Sequence, residues 1–144
     1  MRADIAVRSA TGEDILIVEV KARRGMDRRW AAQLHRNLKA HGMTEAGRFF
    51  LLVTPDEAYL WKEQQGDPER GPDATAATAD LVDERLLDTT AEDGQAFELL
   101  VSAWVQSLVT ATSSDDVAES ARALVVDSGL FQELRNGAVL TQVA

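Results

Sequence analysis

Glu19 and Lys21 stand two residues apart in Ile15–Ala22, a segment otherwise made of Ile, Leu, Val and Ala. On a strand, residues i and i+2 leave the same face. An acid and an amine therefore share one side of a segment whose near-continuous apolar run suits a central strand. Charges buried there are costly without a partner or a purpose. The bland alternative is an edge strand on which the pair is solvated and discourages aggregation. Asp4 lies on the preceding segment Ala3–Arg8, where Ile5 and Val7 alternate with Asp4, Ala6 and Arg8, a period of two. Hairpin pairing of the two segments brings Asp4 beside Glu19. Two carboxylates next to an ammonium make a divalent-cation site. Hard oxygen ligands suit Mg²⁺, for which Mn²⁺ can substitute.

The elements that must position these groups follow along the chain. Ser9–Asp14 contains the turn signal Thr-Gly-Glu-Asp, and Arg23-Arg24-Gly25 ends the second strand. Asp27 can cap a helix to about His41, with Trp30, Leu34 and Leu38 at i, i+4 and i+8 and Gly42 at the C-cap. Phe49–Thr54 reads as a further buried strand, Pro55-Asp56 as its turn and Ala58–Lys62 as a short strand. Glu63 to about Thr75, rich in Gly, Pro and acids, reads as a loop. Asp80–Asp88 has no clear type. Gln95–Thr110 is an amphipathic helix with Phe97, Leu100, Val101, Trp104 and Leu108 on one stripe, serving as core or as a dimer contact. Asp115–Asp127 and Phe131–Arg135 are expected to be helical, and Ala138–Val143 to close as a strand.

Asp4 in "RADIAV", a turn, and Glu19-Val20-Lys21 in "ILIVEVKA" resemble the signature of the PD-(D/E)xK, or restriction-endonuclease-like, nucleases. The resemblance spans about residues 2–62 and implies an α/β fold. Its mixed β-sheet has flanking helices, is N-terminally short, and is followed by a helical C-terminal part. It divides the chain into a nuclease core at 1–62, a loop-rich connection at 63–90 and a helical part at 91–144 of the same domain. Asp4, Glu19 and the main-chain carbonyl of Val20 would hold Mg²⁺. Lys21 would orient or help deprotonate the attacking water and stabilise the developing negative charge. Gln33 in "AAQLHRNL" stands near a position where several members carry a polar Gln, and would be a supporting contact. The family's core normally has a helix and a strand before the Asp-bearing strand. Either that leading part has been trimmed away, or the C-terminal helices or a second subunit would take its place. The implied function is metal-dependent phosphodiester hydrolysis of nucleic acid, with DNA the expected substrate. The alternative is a catalytically inactive nuclease-like binding or assembly module.

Charge distribution bears on the partner. The 144 residues carry a net charge of −9, which by itself disfavours phosphate binding. Residues 1–48 nevertheless hold ten Lys and Arg against six acids, and residues 49–144 hold five against eighteen. A local anion-binding surface on an acidic body would give that split, and so would an acidic tail that aids solubility. Arg23, Arg24, Arg28, Arg29 and Arg36 follow the acid–amine pair and could line a phosphate path or form a solvated face. Tyr59 and Trp61 alternate with Leu60 and are expected to pack under the C-terminal half. His35 and His41 are isolated, and His41 suits the negative end of the first helix.

The apolar fraction of 45% with 27% charged residues is that of a folded globular chain. There are no cysteines, which excludes disulfides, thiolate metal sites and a Cys nucleophile. No apolar run reaches the ~20 residues of a membrane span, and no charged and apolar leader pattern opens the chain, so a cytoplasmic protein is expected. Single glycines at 12, 25 and 42 exclude a Walker or dinucleotide loop. Ser9, Ser102 and Ser107 lack a nucleophile elbow. A homodimer is one expectation for an enzyme that cuts two strands.

Overall fold

Six strands form one sheet in the order β5-β4-β3-β2-β1-β6 in the structure, a computed structural model describing residues 3–42, 47–62 and 71–143. Strands β1 (Ala3–Arg8) and β2 (Asp14–Val20) form the expected antiparallel hairpin. Helix α1 (Arg28–Ala40) then carries the chain over to β3 (Phe49–Val53), which runs parallel to β2; parallel neighbours need such a crossover. The Asp27 carboxylate accepts from the Trp30 amide at 2.8 Å to start α1. His41 ends it, and Gly42, at φ 77°, takes the left-handed turn that follows. Strand β4 (Glu57–Lys62) returns antiparallel to β3.

The sheet is mixed and open, as the α/β pattern implies, and its two faces carry separate cores. Ile5, Val7, Leu16, Val18, Leu51 and Leu60 face helices of the C-terminal half. Ala6, Ile17, Phe50, Leu52, Tyr59 and Trp61 face α1, whose Trp30, Leu34 and Leu38 pack against them. Tyr59 and Trp61 therefore lie together, but under α1 and not under the C-terminal half. The period of two sends Leu60 to that half instead. His35 of α1 stacks on Trp61, with ring centroids 4.2 Å apart and 7° between the planes, so its aromatic surface completes this core.

The C-terminal half differs in detail from its sequence pattern. Residues 63–70 of the expected loop lie outside the described residues. Its end is strand β5 (Ala74–Ala77), paired antiparallel with β4. The unassigned stretch becomes a 3₁₀ turn at Thr78–Asp80 and helix α2 (Glu84–Thr90). Helix α3 (Gly94–Thr110) starts on Asp93, which accepts from the amides of Gln95 and Ala96. It buries Phe97, Val101, Val105, Leu108 and Val109, so its stripe is core of this chain. The expected helix at Asp115–Asp127 is instead a loop, a 3₁₀ turn (Glu119–Ala121) and a π-helical turn (Ala123–Asp127). Helix α4 (Leu130–Leu134) leads to β6 (Ala138–Val143), which pairs antiparallel with β1. At the start of β6 a Cβ on Gly137 would stand 2.6 Å from Val7 Cγ1, so glycine permits this approach. Among the described residues no helix is long and apolar enough to cross a membrane.

The anchoring of α3 is directly measurable. Phe97 is fully buried while Leu99, two residues on, is 67% exposed. Phe97→Ala is expected to cost ~3–5 kcal/mol in urea unfolding, and Leu99→Ala less than ~0.5 kcal/mol. Equal effects would contradict the orientation of α3.

Candidate active site

The hairpin register brings the two acids together. Ile5 pairs with Val18 and Ala6 with Ile17. One step further along the same antiparallel register, Asp4 stands opposite Glu19. By the alternation of both strands, the two side chains share the sheet face covered by α1. The Val20 amide donates to Asp4 Oδ2 at 2.7 Å, capping the hairpin where its ladder ends. This bond uses one of the two Asp4 oxygens and fixes the carboxylate beside the end of β2. Lys21 Nζ lies 3.1 Å from Glu19 Oε1, and the Lys21 amide continues the β2–β3 ladder by donating to the Val53 carbonyl at 3.0 Å.

The environment is graded from dry to wet. Glu19 is 7% exposed, whereas the Lys21 side chain is 40% exposed, so the ammonium marks the mouth of the site. Burial pushes the Glu19 carboxyl above its ordinary value, and the negative charge of Asp4 pushes it further. The hydrogen bond and charge of Lys21 oppose this, and Glu98 adds a smaller upward push. Across the sheet from Glu19, Leu52 is its register partner on β3 and Tyr59 is the partner of Leu52 on β4. The Tyr59 hydroxyl is pushed up to about 12, by burial first and then by Glu57.

As a donor set, two carboxylates on adjacent strands near the sheet end fit Mg²⁺, which binds through one or two carboxylates and keeps several waters. The main-chain carbonyl of Val20 is the third oxygen that the resemblance implies there. Among the described residues, no three His, Cys, Asp or Glu side chains gather into a ligand cluster, so the pair has no further side-chain ligand from that group. No protein-family model, curated protein or solved structure gives a significant match to the chain.

The remaining expected residues are distributed differently. Arg23, Arg24, Arg28 and Arg29 are exposed on and after the loop that leaves β2. Arg24 is engaged by Asp56: its Nη1 donates to Oδ1 at 2.9 Å while the Gly25 amide donates to Oδ2 at 2.7 Å. Asp56 thereby ties the loop behind the site to the β3–β4 turn. Arg28 Nη2 reaches Thr75 Oγ1 at 3.4 Å, and Arg36 is half-buried on α1. Gln33 is exposed, off the line of Ala31 and His35 that α1 buries. His41 Nδ1 lies 2.7 Å from the Asn37 carbonyl oxygen at the helix end. Glu98 of α3 is a further acid that sequence reasoning passed over, and its charge adds the smallest upward push on Glu19. In sequence it is only an acid bordering the apolar stripe of α3, half-buried beside fully buried Phe97 in the structure.

The elevated Glu19 carboxyl has a definite sign in stability. The native form binds this proton more tightly than the unfolded chain. The contribution is fully present below the ordinary value of 4.5 and is lost as pH rises through the elevated folded value. Glu19→Gln removes the titration. It should raise the melting temperature by a few degrees at pH 7 without metal and by much less at pH 4. A melting-temperature difference independent of pH would contradict the buried, charged Glu19.

Proposed function

We propose that the chain is a Mg²⁺-dependent nuclease of the PD-(D/E)xK class that hydrolyses phosphodiester bonds, with DNA the substrate the resemblance suggests. The observation that carries this reading is the meeting of Asp4 and Glu19 on adjacent strands with the Lys21 ammonium 3.1 Å from Glu19. Asp4 and Glu19 would hold the cation, with Asp4 aimed by its bond to the Val20 amide. When bound, Mg²⁺ lowers the pKa of a coordinated water and polarises the phosphodiester. Lys21, at the wet edge of the site, orients that water and offsets the negative charge that grows on the phosphoryl oxygens. Exposed Arg23 and Arg29 supply sequence-independent phosphate contacts beside the site. Arg24 first has a structural duty to Asp56.

A second reading, a nuclease-like module that binds or assembles without cutting, draws on two observations. Lys21 is already neutralised by Glu19, and 49–144 is strongly acidic.

Cleavage of duplex and single-stranded oligonucleotides in Mg²⁺, with EDTA as control, separates the two. Asp4→Asn keeps an oxygen to accept from the Val20 amide while deleting the charge, so loss of activity is not loss of fold. Asp4→Asn and Lys21→Ala should each lower the rate by ~10²-fold or more, the scale of a positioned proton-transfer group. Mg²⁺ should also stabilise the wild type by ~1.4 kcal/mol at ten times its Kd, and Asp4→Asn should abolish this. Undiminished cleavage in both variants overturns the assignment of the site. Absence of both cleavage and a Mg²⁺-dependent melting shift selects the non-catalytic module.

A further inference from the structure

Away from the carboxylate pair, a cavity of about 260 Å³ opens between α3 and the segment that follows it. Its inner wall is apolar: Trp104 and Leu108 of α3, Val125 of the π-helical turn and Phe131 of α4. Phe131, Leu108 and Val125 are each at most 8% exposed, so this floor belongs to the main core. Trp104 is only half-buried, which leaves part of a large indole facing the opening. The rim is acidic. Asp80, at the end of the 3₁₀ turn, and Asp116, in the loop after α3, both line the opening and both are exposed. No Lys, Arg or His lines the cavity among the described residues. The nearby Arg122 is turned to the loop instead, donating from Nη1 to the Ser114 carbonyl at 3.1 Å and pinning that wall.

The backbone adds an independent pointer. Ala123–Asp127 is π-helical, a rare turn found mostly as single insertions and often at functional sites. Its wide turn sends Val125 to the cavity wall. The Ser128 hydroxyl donates to the Leu124 carbonyl at 2.6 Å, closing the turn. A cavity of this size lies just below the ~300–1,000 Å³ of pockets for drug-sized ligands. An apolar aromatic floor under two carboxylates selects a positive, amphipathic occupant. Its body displaces water from Trp104, and its charge meets the acids and the indole face.

We infer that this cavity is a binding site for a fragment-sized organic cation, a primary ammonium on an aromatic or branched aliphatic body. The site is separate from the proposed nuclease centre and does not depend on it.

The test uses the full chain, ¹⁵N-labelled, titrated with phenethylammonium chloride. Phenethyl alcohol and 3-phenylpropionate serve as neutral and anionic counterparts. Trp104→Phe identifies the Trp104 indole resonance by its disappearance. The ammonium should shift that resonance and the amides of Asp116 to Ala118, saturating with a Kd on the order of a millimolar for so small a ligand. The double variant Asp80→Asn, Asp116→Asn changes only exposed side chains and should keep the remaining spectrum. It should weaken the ammonium by about three- to tenfold and leave the alcohol unchanged. The anion should not bind. Equal affinity for alcohol and ammonium, no saturation at tens of millimolar, or shifts confined to residues outside the cavity would each overturn the assignment.

Discussion

The bond from the Val20 amide to Asp4 Oδ2 holds the site end of the sheet in register. Among the described residues the β1–β2 ladder ends at Ile5–Val18, and beyond it a side chain takes over the role of a main-chain acceptor. A charged acceptor makes a shorter and stronger bond than a neutral one, and its position is set by the pleat of β1. Register matters more here than at most hairpin ends. A slip of one residue would send Asp4 to the opposite face from Glu19 and would turn Ile5 and Val7 out of the core. The apolar alternation that builds the fold and the approach of the two acids are thus the same constraint.

Placed so, Glu19 is a compromise between packing and charge. The flanking strands shield it, Leu52 stands beside it on β3, and Asp4 opposes its ionisation. Lys21 relieves that tension from the wet side. Asp56 supports this end of the sheet from a different strand pair, fastening the backbone of Gly25 and the guanidinium of Arg24. The arginine-rich segment therefore combines exposed cations with an anchored loop, and its residues are not equivalent.

How much of this was legible in the sequence depended on whether the signal was local. β1, β2, β3 and β4 announce themselves because alternation or a continuous apolar run is enforced by the strands themselves. Helix α1 does so through Asp27 at its start and Gly42 past its end. The meeting of Asp4 with Glu19 followed from the short hairpin. The side of the sheet on which Tyr59 and Trp61 would lie was not legible. Alternation fixes that they share a face, but which helix covers that face is a tertiary matter. The π-helical turn at Ala123–Asp127 looks like an ordinary helix in sequence, since its apolar residues satisfy either spacing. Strand β5, four residues mostly of Ala, has little propensity of its own and owes its form to the exposed edge of β4. Glu98 was overlooked because its relation to Glu19 is set by how α3 crosses the sheet.

The last feature concerns the order in which the molecule can be assembled. β1 lies between β2 and β6, and Ala3 finds its partner in Val143, nearly the whole described chain away. On a ribosome the Asp4-bearing strand must wait with one edge open until residues 138–143 have emerged. A contact of such long range is slow to form because its loop-closure entropy comes first. A nascent chain would hold the hairpin and its acids long before it holds the finished sheet, so the outer edge of β1 is closed only by the arrival of β6.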